Sequence, residues 1–150
     1  MSNRSILLVE DNADDEELTV RALRAKRITS EIVTAHDGFE ALDYLLGTGT
    51  SNEQRSSSLP AVMLLDLQLP GMDGFEVLRR VRAAERTRVL PVVVLTSSRE
   101  EQDLLESYGL GCNSYIRKPV DFDKFLEVAE QVSLYWLVLN ELPSFLGAPA

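Results

Sequence analysis

Apolar residues along the chain fall into five short runs separated by longer amphipathic stretches. The runs are Ile6-Leu7-Leu8-Val9, Glu31-Ile32-Val33-Thr34-Ala35, Val62-Met63-Leu64-Leu65, Pro91-Val92-Val93-Val94-Leu95 and Asn113-Ser114-Tyr115-Ile116-Arg117. The first, third and fourth are unbroken apolar runs, which read as strands covered on both faces, as in a parallel sheet; Glu31–Ala35 alternates and is β-branched, which also reads as a strand, and Asn113–Arg117 reads as the fifth. Helical spacing follows each run. The first helix covers roughly residues 14 to 26, with Leu18 and Ala22 on one face. The second carries Phe39, Ala41, Leu42, Leu45 and Leu46 and ends at Gly47. The third buries Phe75, Val77, Leu78 and Val81 and turns Arg79, Arg80 and Arg82 to solvent. The fourth runs from Arg99 to Tyr108 and stops at Gly109. The fifth begins near Asp121 and continues past Trp136. Residues 48 to 58 are polar and rich in Gly, Ser, Thr and Asn, which predicts a surface loop.

Five strand–helix units in alternation predict an α/β fold with a doubly wound, five-stranded parallel sheet and right-handed crossovers. The flavodoxin-like (βα)5 order, 2-1-3-4-5, is the common five-stranded version. The prediction is one domain over residues 1–150, with an extended C-terminal helix and an extension over about residues 137–150.

Composition narrows the function. The net charge of −9 argues against nucleic acid as a direct partner, since phosphate binding needs a basic surface. It leaves room for divalent cations and basic proteins. No apolar run approaches the roughly 20 residues that span a bilayer, so no membrane is expected. One cysteine, Cys112, forms no internal disulfide, and with no leader pattern at the start the expectation is a reducing cytoplasm.

The strand ends carry the chemistry. In the 2-1-3-4-5 order, strands one and three are neighbours, and their carboxyl ends bear Glu10-Asp11 and Asp66; strands four and five end in Thr96 and Lys118. Ligands bind outside the carboxyl ends of such sheets. Taken singly, Glu10 and Asp11 read as acids before a helix, Thr96 as a strand end, and Lys118 as a surface lysine. Taken together, they need a joint explanation. Like charges about 4 Å apart repel by roughly 4 kcal/mol per pair at an effective dielectric near 20. A hard cation bound by oxygens offsets that, and Mg²⁺ typically takes one or two carboxylates, water and phosphate oxygens. Glu10, Asp11 and Asp66 with the backbone carbonyl of Gln68 are the expected metal ligands. A carboxylate, a metal, a lysine and a hydroxyl suit phosphoryl transfer, with Asp66 as acceptor and Lys118 and Thr96 contacting the phosphoryl oxygens. A phosphatase would need a second acid where Gln68 stands, and a flavodoxin-type phosphate site would be repelled by Glu10-Asp11.

Val9-Glu10-Asp11-Asn12, the stretch Leu65–Gly74 containing Asp66-Leu67-Gln68-Leu69-Pro70-Gly71, Thr96-Ser97 and Lys118-Pro119 together resemble the response-regulator receiver domain of two-component signalling. The resemblance covers roughly residues 5 to 130. It implies that Asp66 accepts a phosphoryl group from a sensor histidine kinase with Mg²⁺, and that Thr96 and Tyr115 switch rotamers afterwards. The implied chemistry is self-phosphorylation and self-dephosphorylation, not turnover of a separate substrate. The alternative is a receiver-fold interaction module that takes no phosphate.

Too few residues follow Lys118 for a DNA-binding domain, so output through protein contact is expected. In the last helix, Phe122, Phe125, Leu126, Ala129 and Trp136 share the face that should meet the sheet. Val128, Tyr135, Val138, Leu139 and Leu142 lie roughly opposite. A helix apolar on both sides is covered on both sides, and a symmetric homodimer through Tyr135, Val138, Leu139 and Leu142 is the simplest cover. The ending, with Tyr135-Trp136 and Asn140-Glu141-Leu142-Pro143, resembles stand-alone regulators paired with bacteriophytochrome kinases.

Overall fold

In a computed structural model of the chain, residues 4–25, 30–47 and 58–143 are described; most of the expected 48–58 loop and residues 144–150 lie outside them. Five parallel strands form one sheet: β1 (Ser5–Val9), β2 (Glu31–Ala35), β3 (Val62–Leu65), β4 (Val92–Thr96) and β5 (Ser114–Arg117), in the order β2-β1-β3-β4-β5. The helices are α1 (Ala13–Ala25), α2 (Gly38–Leu46), α3 (Gly74–Ala83), α4 (Glu101–Gly109) and α5 (Phe122–Ser133). The expected flavodoxin-like fold is therefore correct.

The strand period of two divides the core. Leu7, Val9, Met63, Leu65, Val92 and Val94 face α2 and α3, where Leu42, Leu45, Val77, Leu78 and Val81 meet them. Ile6, Leu8, Val62, Leu64, Val93 and Leu95 point to the other side, against Ala22 and Leu23 of α1 and Phe125 and Ala129 of α5. Both faces of β1, β3 and β4 are dry, which is why these three read as continuous apolar runs, whereas the edge strands β2 and β5 are only partly buried.

Local signals set the helix ends. Asp37 and Asp73 accept the N–H of Glu40 and Glu76 at 2.8 and 3.0 Å, and so cap α2 and α3. Gly47 closes α2 in the left-handed conformation at φ 67°.

Four sequence expectations change. Arg82 does not face solvent: it is half-buried, and its guanidinium donates to the carbonyls of Gly111, Arg88 and Leu90 and to Asn113 Oδ1. It ties the end of α3 to the starts of β4 and β5. Phe122, expected on the sheet, is 39% exposed because it opens the first turn of α5. Val128, expected on an outer stripe, is half-buried beside Thr19 and Leu23 of α1. Finally, the last helix widens after Ser133 into a π-helical segment, Leu134–Leu139, closed by an Asn140 N–H to Tyr135 carbonyl bond of 2.6 Å. Asn140 is extended (ψ 137°), so Leu142 leaves the helical stripe. It packs, half-buried, against the α2/α3-side core. Arg4 donates to the carbonyls of Leu137 and Asn140, both at 2.9 Å, and clips this segment to the start of β1. Trp136 is buried, with Tyr135 edge-on to it at 4.9 Å.

Gly74 opens α3 under tight constraint. A Cβ there would lie 2.4 Å from the Asp66 carbonyl oxygen and 2.6 Å from Leu67 Cα, both backbone atoms, while a Cβ on Gly109 would meet nothing within 4 Å. Gly74→Ala should cost about 1–3 kcal/mol through forced backbone shifts, whereas Gly109→Ala should gain roughly 0.4–1 kcal/mol from the unfolded chain. Urea unfolding midpoints of the two variants would check this; equal shifts would contradict it.

Candidate functional site

The site forms at the carboxyl ends of β1, β3, β4 and β5, which lie in that order along one edge of the sheet. The Glu10 N–H donates to the Ala35 carbonyl at 2.9 Å, the Asp66 N–H to the Val9 carbonyl at 3.1 Å, and the Lys118 N–H to the Thr96 carbonyl at 2.8 Å. Each functional residue is thus pinned by a ladder-type bond at the last rung of the sheet.

The Lys118 ammonium occupies the centre. Its Nζ donates to Glu10 Oε1 at 2.6 Å, to Asp66 Oδ2 at 2.9 Å and to Asp15 Oδ2 at 3.0 Å. Lys118, Glu10 and Asp66 are all at least nine-tenths buried. The second Asp66 oxygen, Oδ1, accepts the Gln68 N–H at 3.1 Å. The second Glu10 oxygen, Oε2, accepts the Asn12 N–H at 3.2 Å. Charged hydrogen bonds of this kind are short and strong, and a buried charge requires them.

Burial pushes the Glu10 carboxyl up to about 7 against the lowering pull of Lys118, and the Asp66 charge pushes in the same direction as burial. Burial alone would lower Lys118. The hydrogen bonds to Glu10 and Asp66 outweigh it and hold the ammonium above its ordinary value.

Glu10, Asp66 and Lys118 are therefore brought together as the strand-end reading expects. Asp11 is exposed beside them. Thr96 is fully buried at the end of β4, and its hydroxyl accepts the Ser98 N–H at 3.3 Å. The Ser98 hydroxyl in turn donates to Asp103 Oδ2 in α4 at 2.6 Å. Tyr115 is half-buried on β5 and packs on the α2/α3-side core; its hydroxyl is buried and lacks a hydrogen-bond partner. Gln68 is exposed and touches the site through its N–H.

Asp15 is the residue that sequence reasoning passed over. It lies in the first turn of α1, capped by Asn12, whose Oδ1 accepts the Asp15 N–H at 2.9 Å. A carboxylate three residues past an N-cap ordinarily reaches back to the cap's own N–H. Here Glu10 takes that N–H, and the Asp15 carboxylate goes to Lys118. The available signal was an N-cap preceded two residues earlier by an acid able to replace the box partner.

Whether the donors suit a metal can be judged from their chemistry. Among the described residues no three His, Cys, Asp or Glu side chains alone converge on a metal position, because the ammonium sits between them. Mg²⁺ and Mn²⁺ need only one or two protein carboxylates, completed by carbonyls and water. The oxygen donors at the mouth fit such an ion.

The family model for the response regulator receiver domain matches residues 6–130. The chain belongs to the response-regulator receiver family. A curated relative, the probable methanogenesis regulatory protein FilR2 of Methanothrix harundinacea, is 43% identical, the match covering 92% of this chain and 86% of that one. The solved structure of the phosphorylated cyanobacterial phytochrome response regulator RcpA is 38% identical, with a TM-score of 0.85 over 94% of this receiver and 99% of that chain. The Mn(2+)-bound form of Rcp1, a response regulator of Synechocystis, is 34% identical with a TM-score of 0.82, covering 93% and 99%. Among the described residues of this receiver no helix is long and apolar enough to cross a membrane.

The ion network makes stability depend on pH once the ammonium is removed. In Lys118→Met, burial acts on Glu10 unopposed, so its folded-state value stands above the unfolded one. Stability from such a group is full below the unfolded value of 4.5 and is lost as pH rises through the folded-state value, which stands at about 7 with Lys118 in place and is pushed further up without it. In chelating buffer the variant should be less stable than the parent by about 3–5 kcal/mol at pH 8 and by clearly less at pH 5. Urea titrations at the two pH values test this, and a deficit independent of pH would contradict it.

Proposed function

We propose that this receiver is a phosphoacceptor switch, working in the cytoplasm, that takes a phosphoryl group on Asp66 from the phosphohistidine of a sensor kinase. The single observation that carries the reading is the Asp66 carboxylate at the open end of the central strand, with the Lys118 ammonium 2.9 Å from its Oδ2. In the transfer, an Asp66 oxygen attacks phosphorus, the P–N bond breaks, and the histidine imidazole leaves with the electron pair and takes a proton. Lys118 orients the carboxylate and supplies positive charge to the phosphoryl oxygens. Glu10, Asp11, Asp66 and the Gln68 carbonyl would hold Mg²⁺, which when bound neutralises charge between the carboxylates and the incoming phosphoryl group. The Mn(2+) form of Rcp1 and the phosphorylated RcpA support both parts by similarity.

After transfer, the buried Thr96 hydroxyl turns toward the phosphoryl oxygens and Tyr115 follows into the space it leaves. The unpartnered Tyr115 hydroxyl supports this, since a buried hydroxyl without a bond gains by moving to one. Loss of the Thr96–Ser98 bond then loosens the start of α4. Output is by protein contact, not DNA. The kinase is a bacteriophytochrome in this reading, on the likeness to the phytochrome regulator RcpA.

Dimerisation through the C-terminal segment belongs to the same reading. Tyr135, Val138 and Leu139 are 48, 66 and 61% exposed, a contiguous apolar strip of the kind that marks an interface. Leu142, packed on its own core, is left out of it.

Incubation with acetyl phosphate and Mg²⁺ should label the protein, and Asp66→Asn should take up no label. Equal labelling of the variant would defeat Asp66 as the acceptor, and a parent that neither takes up label nor binds Mg²⁺ in titration would favour an interaction module. A Tyr135→Asp, Leu139→Asp double variant should sediment as monomer at micromolar concentration while the parent sediments near twice the monomer mass. A parent that stays monomeric would remove the dimer.

A further inference from the structure

The Lys118 ammonium has three N–H donors, and all three are engaged by carboxylates: Glu10, Asp66 and Asp15. An arriving phosphoryl group can gain a bond from Lys118 only if one of these is given up. The three do not part equally easily. The side chains of Glu10 and Asp66 are 3% and 8% exposed, whereas Asp15 is 38% exposed. A carboxylate at the mouth regains water when its bond breaks; a buried one loses the bond with nothing in return.

Asp15 also has no second hold on its carboxylate within the site. Glu10 Oε2 is fixed by the Asn12 N–H and Asp66 Oδ1 by the Gln68 N–H. The Asp15 contribution to the α1 cap is made through its backbone, with its N–H donating to Asn12 and its carbonyl accepting the Thr19 hydroxyl at 2.8 Å. Its side chain is thus free to leave without unravelling the helix.

We propose that Asp15 is a positioning residue, acting through Lys118. It holds the ammonium in the resting site and is the partner exchanged for a phosphoryl oxygen, so that its negative charge at the mouth slows phosphoryl uptake. This rests on the phosphoacceptor reading. In the step itself, an Asp66 oxygen bonds to phosphorus, the donor's P–O bond breaks, acetate departs with the electron pair, and Lys118 passes one N–H from Asp15 to the phosphoryl group.

The test is the rate of uptake from acetyl phosphate with Mg²⁺ in four proteins. Asp15→Asn keeps the shape and an acceptor oxygen but removes the charge. It should be labelled roughly three- to tenfold faster than the parent at low salt, with the difference shrinking as salt rises. Asp15→Glu restores the charge and should return the rate toward the parent's. Glu17→Gln removes an equal charge from the exposed flank of α1, where Glu17 pairs with Arg21, and should leave the rate unchanged. A purely structural Asp15 would shift the unfolding midpoint without speeding uptake. Label on the parent with an equal or slower rate in Asp15→Asn overturns the proposal alone. Equal acceleration by Glu17→Gln also overturns it, by making the effect one of net charge. No label on any of the four overturns the phosphoacceptor reading and this proposal with it.

Discussion

One buried ammonium holds the working end of this protein together. Lys118 stands among three carboxylates from β1, β3 and α1, and the cluster it makes still carries a formal surplus of two negative charges. Ion pairs removed from water do not guarantee stability, because desolvation offsets much of the Coulomb gain. What they enforce is position. With Glu10 and Asp66 each bound through both oxygens, the Asp66 carboxylate is held in one orientation at the open edge of the sheet. That surplus charge would favour a cation at the mouth, and Asp15 is the member of the network that keeps contact with water.

The sheet explains how such a cluster is affordable. β1 and β3, which deliver Glu10 and Asp66, are covered on both faces by aliphatic side chains, so the backbone at their ends has little freedom. Gly74 belongs to the same constraint. The chain after Asp66 turns so closely over the Asp66 carbonyl that α3 begins with no room for a side chain. Rigid strands below and a tight turn above leave the side chains as the parts that move. The hydroxyl sequence from Thr96 to Ser98 to Asp103 extends that movable layer to α4, whose Leu105 and Tyr108 are largely exposed.

Much of this was legible in the sequence. Four apolar runs broken by a charged or hydroxyl residue located Glu10, Asp66, Thr96 and Lys118, because a parallel sheet brings all its carboxyl ends to one edge. That argument uses only strand order, which alternation of elements supplies. The parts that were not legible depend on side-chain reach. An acid at the position of Asp15 ordinarily serves only the helix N-terminus, and its one signal was the acid Glu10 two residues before the N-cap. Arg82 sat at a solvent position by helical period, yet its length let it reach four carbonyl and amide oxygens across two loops. Leu142 continued an apolar stripe only if the helix continued. The π-helical widening and the Arg4 clip redirect the chain before that residue, and neither has a period to detect.

The distance along the chain between the paired charges bears on how the molecule is made. Glu10 and Lys118 are 108 positions apart, and Asp66 and Lys118 are 52 apart. Contacts between remote positions form late, after the loops that close them have been paid for in entropy. A partly folded chain with β1 and β3 joined but β5 undocked would hold two acids side by side without their counter-charge. In such an order the docking of β5 would bring the lysine that relieves them, so that completing the sheet and partly compensating its charged edge would be one step.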